Sequence, residues 1–318
     1  MLISRRVWLR SSPALLAAGP LAPLAVRAQG APILIGGTAN DSGGSIFYAQ
    51  DLGMFEKAGL NVKVETLANA GTAASAVVGG SLTVSTLTIP GIAIAREKGI
   101  PITIIAPASI YNSANPTSGI IVLKTSPIRK AADLNGKTIA TRDLSNMSYY
   151  GAKTWMDKNG GDSKTVKWVE IPDPATVPAM QSGRVDAASV SEPALDAAIH
   201  GPDARMLAPV YDAIGSGFMI AAYFVTEEYA RTHVDIVRKI SEVIINAGIW
   251  ANKTRPLSAK ILEKYSGVPV PPGTTRVTYA ERMRPADAQP VLDLLQGYGV
   301  LKGTMRASDM FAPQVPTS

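Results

Sequence analysis

The sequence contains no cysteine and only two histidines, His200 and His233, among its 318 residues. Without cysteine the chain cannot form disulfides, thiolate metal sites, a cysteine nucleophile or the lipidated cysteine of a lipoprotein. Two histidines are too few for a histidine-rich metal site, and we expect both to be ordinary surface or core residues. The sequence therefore predicts neither a bound metal nor a cofactor.

An excess of charge of one sign is also missing once the first residues are set aside. The whole chain carries a net charge of +6, but Arg5, Arg6, Arg10 and Arg27 fall within residues 1–28, which contain no acidic residue. Of 31 basic residues, 27 then remain against 25 acidic ones, a net charge of +2. A nearly neutral chain lacks the basic footprint of a nucleic-acid-binding protein, so we expect no nucleic acid partner.

The catalytic motifs of several large enzyme classes are absent as well. The chain has no Gly-x-Ser-x-Gly elbow, and no Gly-x-Gly-x-x-Gly follows its first predicted strand. The segment Gly136-Lys137-Thr138 is not a phosphate-binding loop, because Ala131 stands where that motif needs its first glycine. These absences argue against hydrolase, dehydrogenase and nucleotide-binding functions, and we expect the chain not to be an enzyme.

The N-terminus is typical of an exported protein. Ser4–Arg10 resembles a twin-arginine export signal, and the stretch Pro13–Val26, broken by Pro20 and Pro23, is too short for a membrane span. We predict that residues 1–28 are a signal cleaved after Ala28. A Sec signal that happens to carry two arginines is the alternative. No other apolar run reaches membrane length, so the mature chain is not expected to be embedded in a membrane.

Strand and helix patterns alternate along the rest of the chain. Short apolar runs such as Ile102–Ala106 and Gly119–Leu123 alternate with longer amphipathic runs such as Ile46–Ala58. This alternation predicts an α/β fold with mostly parallel sheets flanked by helices.

The composition changes at two places that we interpret as crossovers between two lobes. Asn, Ser, Pro and Thr dominate Tyr111–Ser118, and a Gly-Ser-Gly turn precedes the extended apolar run Phe218–Val225. We therefore predict a discontinuous lobe 1, residues 29–112 plus 226–318, and a lobe 2, residues 113–225, that includes both crossover segments. A cleft between two such lobes is the expected ligand site.

Three segments resemble one known family. They are Ala49–Val62, Ser126–Ala140 with its Asp-Leu-Asn-Gly-Lys turn, and Met180–Ala188 together with Glu192-Pro193. They are similar to segments in the solute-binding proteins of nitrate/sulfonate/taurine-type ABC transporters. The resemblance covers nearly all of residues 32–255 and implies the two-lobed type II periplasmic binding protein fold.

The resemblance also implies a function. A protein of this family captures a small organic anion, such as a sulfonate or carboxylate, between its lobes and delivers it to an ABC transporter permease. The protein is expected to be a monomer. It is also expected in the periplasm, because an exported chain without a lipid anchor stays near its transporter only if a second membrane encloses it. Two alternatives share the fold: a biosynthetic enzyme of the thiamine-pyrimidine or menaquinone-precursor type, and a periplasmic sensor subunit.

The candidate ligand-binding residues lie mostly where strands lead into helices. Backbone N–H groups at a helix start favour anions, although each polar side chain there could instead cap its own helix. Arg142 could supply a bidentate partner for a carboxylate or sulfonate. Tyr149 and Tyr223 could line an apolar wall or donate a hydroxyl. Glu192 could bind an amine or hydroxyl of the ligand, or close the lobes by accepting a hydrogen bond. The full predicted set is Ser42, Gly43, Gly44, Asn69, Gly71, Thr72, Thr86, Thr88, Arg142, Ser145, Asn146, Ser148, Tyr149, Glu192 and Tyr223.

Overall fold

The computed structural model describes residues 31–67 and 71–316, so the predicted export signal and Asn69 lie outside the described residues. The strands of the described part are, in chain order, β1 (Ile33–Gly37), β2 (Val62–Thr66), β3 (Val84–Thr88), β4 (Ile102–Pro107), β5 (Ser109–Asn112), β6 (Ser118–Leu123), β7 (Thr138–Thr141), β8 (Lys167–Glu170), β9 (Ala187–Ser191), β10 (Ala204–Pro209), β11 (Gly217–Met219), β12 (Ala221–Thr226) and β13 (Thr278–Tyr279). The helices are α1 (Ser45–Asp51), α2 (Met54–Lys57), α3 (Ala73–Val78), α4 (Ile89–Glu97), α5 (Met147–Lys158), α6 (Thr176–Gln181), α7 (Ala194–His200), α8 (Glu227–Thr232), α9 (Val234–Lys253), α10 (Arg255–Ser266) and α11 (Gln289–Gly297).

Two five-stranded sheets form the two lobes. The first has the order β2-β1-β3-β12-β4 and the second the order β10-β6-β9-β7-β8. Each sheet combines two parallel with two antiparallel pairings, and four of its five strands run in the same direction, in line with the predicted mostly parallel sheets. In each sheet a single strand runs against the others: β6, which enters the second lobe, and β12, which returns from it.

A small third sheet of order β11-β5-β13 joins the lobes. The outgoing strand β5 and the returning strand β11 pair antiparallel, with Phe218 opposite Tyr111. The rings of Tyr111 and Phe218 pack with Tyr211, at centroid distances of 5.1 to 5.7 Å. The predicted extended run Phe218–Val225 is divided at Ile220, because its first part pairs with β5 and its second part becomes β12 of the first sheet.

The predicted helix Ile46–Ala58 is two helices. α1 ends at Asp51, and α2 begins only at Met54. Between them Gly53 has φ +63°, a left-handed conformation that glycine adopts without the steric penalty of a Cβ. The amphipathic pattern continues across the break, which is why the sequence alone suggested one element.

The longest helix, α9, covers the first sheet with one apolar face. Its residues Val237, Ile240, Ile244 and Ala247 are fully buried and recur at helical spacing. None of the helices in residues 31–67 and 71–316 is long and apolar enough to cross a membrane.

Candidate functional site

The two lobes meet at the edge where parallel strands end and polar loops begin, which is the usual position of ligand sites in α/β sheets. Asn115 Nδ2 donates a 2.6 Å hydrogen bond to the backbone oxygen of Arg276, and Thr274 Oγ1 donates to Asp196 Oδ2 at 3.3 Å. We name this region the interlobe cleft. We assign to it the segments Asp41–Gly44, Thr86 and Thr274–Arg276 of the first lobe, and the segments Asn115–Ser118, Thr141–Ser148 and Ser191–Asp196 of the second.

A buried ion pair between Asp41 and Arg276 forms the first-lobe side of the cleft. Arg276 Nε donates to Asp41 Oδ1 at 2.6 Å, and the backbone nitrogen of Val277 donates to Asp41 Oδ2 at 2.7 Å. The guanidinium also donates to the Tyr48 hydroxyl at 2.9 Å, and the Tyr279 hydroxyl donates to the backbone oxygen of Asp41 at 2.6 Å. Burial raises the pKa of Tyr48 to about 12 and that of Tyr279 well above its usual value, so both hydroxyls keep their protons.

Tyrosine hydroxyls approach the backbone of the turn after β1, and at Gly44 the approach is too close for a side chain. The hydroxyl of the fully buried Tyr223 donates to the backbone oxygen of Gly43 at 3.0 Å. A Cβ on Gly44 would lie 2.5 Å from the Tyr279 hydroxyl and 2.6 Å from the Tyr48 hydroxyl. The predicted ligand residues Gly44 and Tyr223 therefore build the wall of the cleft, and Ser42 is half-buried in the same turn.

Four hydroxyl groups cluster on the second-lobe side of the cleft. Ser148 Oγ lies 3.1 Å from Ser118 Oγ and 3.2 Å from the Tyr211 hydroxyl, and it also bonds to Ser191 Oγ. Ser118 Oγ in turn donates to the backbone oxygen of Val190 at 2.9 Å. Only Ser148 of this cluster was among the predicted ligand residues, because the other three become neighbours only when the strand ends are assembled.

Replacing Ser148 with alanine is expected to lower the free energy of unfolding by about 1–3 kcal/mol, because two buried hydroxyls and the half-buried hydroxyl of Ser191 lose their common partner. Urea unfolding followed by circular dichroism measures this change. Ser145→Ala is the matched control. Ser145 is exposed and bonds only within its own turn to Asp143, so its effect should stay within about 0.5 kcal/mol. Equal effects of the two substitutions would contradict a structural role for the cluster.

Glu192 follows β9 and is buried at the cleft, with 7% of its surface exposed. Its backbone nitrogen donates to the oxygen of Thr117 at 3.1 Å, and its Oε2 accepts from the backbone nitrogen of Asp196 at 3.0 Å. Burial raises the pKa of Glu192 to about 8, and the charges of Asp196 and of Asp41 in the opposite lobe add to this rise. The carboxyl group therefore largely keeps its proton at neutral pH.

Several predicted ligand residues of the second lobe make bonds within that lobe. The Arg142 guanidinium is paired with the buried carboxylate of Asp173. The Ser145 hydroxyl donates to Asp143 Oδ1 at 2.8 Å, and Asn146 caps α5 by accepting from a backbone nitrogen of that helix at 2.8 Å. These side chains position the loop after β7. Asn146 thus has the alternative role named above, in which a polar side chain at a helix start caps its own helix.

The remaining predicted residues lie at helix starts or against other aromatic rings. Thr88 caps α4 by accepting from a backbone nitrogen of that helix at 3.4 Å. The ring of Tyr149 packs edge-on against Trp168 with centroids 5.0 Å apart. Gly71 and Thr72 are exposed where α3 begins.

Buried polar atoms without partners concentrate at this cleft. Among the described residues, such atoms include the hydroxyl oxygens of Thr86, Thr117 and Thr141 and the Nη1 atom of Arg276. Each lies at a strand end or beside the Asp41 turn, and Arg276 is only 6% exposed. Because buried polar groups in folded proteins nearly always have hydrogen-bond partners, this concentration indicates a position where a ligand or water completes the bonding.

The profile of the family described as "NMT1/THI5 like" matches residues 40–254, about two thirds of the chain and most of both sheets. The chain belongs to the NMT1/THI5-like family. The match includes the Asp41 turn, the hydroxyl cluster and Glu192, but it ends before Arg276.

Comparisons with named proteins agree with this family. Over 206 residues, or 61% of its length, this family member is 27% identical to the taurine-binding periplasmic protein of Escherichia coli (strain K12), and the aligned part spans 60% of that relative. The alkanesulfonate-binding protein of Xanthomonas axonopodis pv. citri, solved bound to MOPS, superposes with a TM-score of 0.73 at 18% identity, covering 92% of this chain and 100% of its own. The desulfurization enzyme DSZB superposes with a TM-score of 0.63 at 15% identity, and the superposition covers 88% of this chain and 96% of the enzyme. The predicted two-lobed periplasmic binding protein fold is therefore confirmed.

Proposed function

We propose that this family member is a periplasmic solute-binding protein that captures a small organic anion, such as a sulfonate or carboxylate, in the interlobe cleft. The observation that carries the proposal is that two buried polar groups on the first-lobe side of the cleft, Arg276 Nη1 and the Thr86 hydroxyl, have no hydrogen-bond partner among the described residues. An N–H donor left unsatisfied inside a protein is destabilising, and a charged donor more so. An anionic oxygen bound at Arg276 Nη1 would supply the missing acceptor.

Capture would work by stabilising the closed arrangement of the lobes. A ligand shifts an equilibrium between open and closed forms only through its different affinity for the two. A ligand that touches Arg276 on one lobe and Ser148 or Glu192 on the other gains its full set of contacts only in the closed form. The three-stranded sheet β11-β5-β13 would carry the hinge, and an ABC transporter permease would recognise the closed monomer.

The cellular placement is part of the same proposal. Residues 1–28 would direct export and be removed. The proposed division of the remaining chain is lobe 1 as residues 29–112 plus 226–318 and lobe 2 as residues 113–225, where the lobe 2 range includes the returning crossover whose strand β12 pairs in the first sheet. The printed name of the taurine-binding relative, a periplasmic protein, supports this placement.

The proposed function involves no chemical reaction. The named taurine-binding relative is a binding protein, whereas DSZB shares the fold and is an enzyme, so the fold alone does not decide between the two roles. A bound compound recovered unchanged after prolonged incubation with the protein would support capture, and its conversion would contradict it.

Ligand-dependent thermal stabilisation is the direct test of the proposed function. Purified mature protein is heated with increasing concentrations of taurine, ethanesulfonate, propionate or nitrate. At least one of these anions should raise the unfolding temperature in proportion to the logarithm of its concentration, as mass action requires. The absence of a saturable shift with all four compounds would contradict the proposal.

Thr86→Val tests whether the cleft is the place of binding. Valine has nearly the same shape but lacks the unpartnered hydroxyl, so the unliganded fold should keep its stability while affinity falls about three- to tenfold. Ser241→Ala is the control, because the Ser241 hydroxyl is also buried and unpartnered but lies on α9. An equal loss of affinity in both variants would place the ligand elsewhere.

A further inference from the structure

The positive charges of the interlobe cleft are already matched by carboxylates. Arg276 is paired with Asp41, and Arg142 is paired with Asp173. Glu192 forms no ion pair with any basic side chain of the described residues, although it is buried between the lobes. If the cleft captures an anion, as proposed above, an ionised Glu192 would leave two negative charges there without a cation of their own.

The groups that face Glu192 from each neighbouring element reinforce this imbalance. From the first lobe, Asp41 is close enough for its charge to act on Glu192. From the second lobe, the backbone N–H of Asp196 donates to Glu192 Oε2. The carboxylate of Asp196 lies 3.2 Å from Nδ1 of the exposed His200 and accepts a hydrogen bond from the Thr274 hydroxyl. The only cation among these groups is His200, if it is protonated, and it is 74% exposed.

We propose that Glu192 binds the captured anion as a neutral carboxylic acid, so that anion binding is coupled to the presence of one proton on this residue. Oε2 continues to accept from the backbone nitrogen of Asp196, and Oε1 carries the proton and donates it in a hydrogen bond to the anion. The proton comes from solvent, and no covalent bond changes. This arrangement gives the anion a donor from each lobe: Arg276 Nη1 from the first and Glu192 Oε1 from the second.

The proton is held before the ligand arrives, since burial already raises the pKa of Glu192 to about 8. Below that pH the affinity should be independent of pH, because no proton has to be taken up. Above it, each binding event must first protonate the carboxylate. The affinity should then fall about tenfold for each further pH unit.

Isothermal titration with ethanesulfonate and propionate between about pH 6.5 and 9.5 tests the coupling, because both probes stay fully ionised throughout this range. In wild type, affinity should be constant to about pH 8 and then decline. At about pH 9, the binding heats measured in buffers of different ionisation enthalpy should show that close to one proton is taken up per bound anion. Glu192→Gln keeps a neutral N–H donor of similar shape. It should bind within about threefold of wild type at neutral pH, show no decline at high pH and take up no proton.

Two further variants make the outcome decisive. Glu192→Ala removes the donor and should weaken binding at every pH, whereas Glu228→Gln, at an exposed position on α8, should leave the wild-type pH profile unchanged. If neither probe binds wild type, both the proposed function and the proton coupling are overturned. If the probes bind without any pH dependence, or if Glu192→Gln abolishes binding, anion capture stands and the proton coupling is overturned.

Discussion

Replacing Arg276 with methionine is expected to lower the free energy of unfolding by about 3–5 kcal/mol, because it leaves the buried carboxylate of Asp41 without its cation. Asp41 is only 2% exposed, and its remaining donors are the backbone of Val277 and the Tyr279 hydroxyl. These two bonds persist in the variant, so the loss should fall toward the lower end of this range. Urea unfolding of the unliganded protein at neutral pH measures it.

A control and a double-mutant cycle separate the ion pair from general effects of the substitution. Arg238→Met removes the exposed partner of Asp235 on α9, a pair with atoms 3.9 Å apart, and should change stability by less than about 1 kcal/mol. The double variant Asp41→Asn/Arg276→Met should be destabilised by less than the sum of the two single variants, because each single change leaves one buried charge unpaired and the double change leaves none. If Arg276→Met has no larger effect than Arg238→Met, the buried pair is not a stabilising element.

Replacing Gly44 with alanine is expected to destabilise the protein by about 1–3 kcal/mol through overpacking. The backbone of Gly44 is ordinary for any residue, with φ −68° and ψ −27°, so backbone strain is not the reason. The added methyl group would instead collide with the hydroxyls of Tyr48 and Tyr279. Displacing these hydroxyls would also disturb their bonds with Arg276 and Asp41, so ligand affinity should fall together with stability.

Gly215→Ala is the matched control for this substitution. A Cβ on Gly215 would meet no atom within 4 Å, and its backbone is not left-handed. Its effect on unfolding should stay within about 0.5 kcal/mol. A Gly44→Ala variant as stable as Gly215→Ala would show that the two tyrosines move aside freely, and that the wall of the cleft is not rigid.

Much of the fold could be predicted because its elements carry local signals. The apolar runs Ile102–Ala106 and Gly119–Leu123 were predicted as strands and correspond to β4 and β6, each of which is one residue longer, since a short continuous apolar run is typical of a buried strand. Other elements lack such signals. Arg255–Ser266 has only three buried residues, and Ala204–Pro209 includes an arginine and a terminal proline, so neither α10 nor β10 was predicted.

The candidate site was only partly predictable for a physical reason. Gly43, Thr86, Ser148 and Glu192 lie in strands or in the turns and helix starts that follow them, which a pattern of strands and helices can locate. Arg276 lies 235 residues from Asp41 along the chain, and no local pattern connects the two. Their pairing depends on where the segment before β13 returns to the first lobe, which only the assembled fold determines.

The position of β12 also bears on the order in which the protein folds. β12 lies between β3 and β4 in the first sheet, although its residues follow the whole second sheet in the chain. All five strands of the second sheet fall within Ser118–Pro209, so that sheet can be completed from one continuous stretch. The first sheet cannot, because β3 and β4 must wait for a strand that emerges more than a hundred residues later. A growing chain would therefore finish its second lobe before its first, and late closure around β12 would be the slow, long-range step.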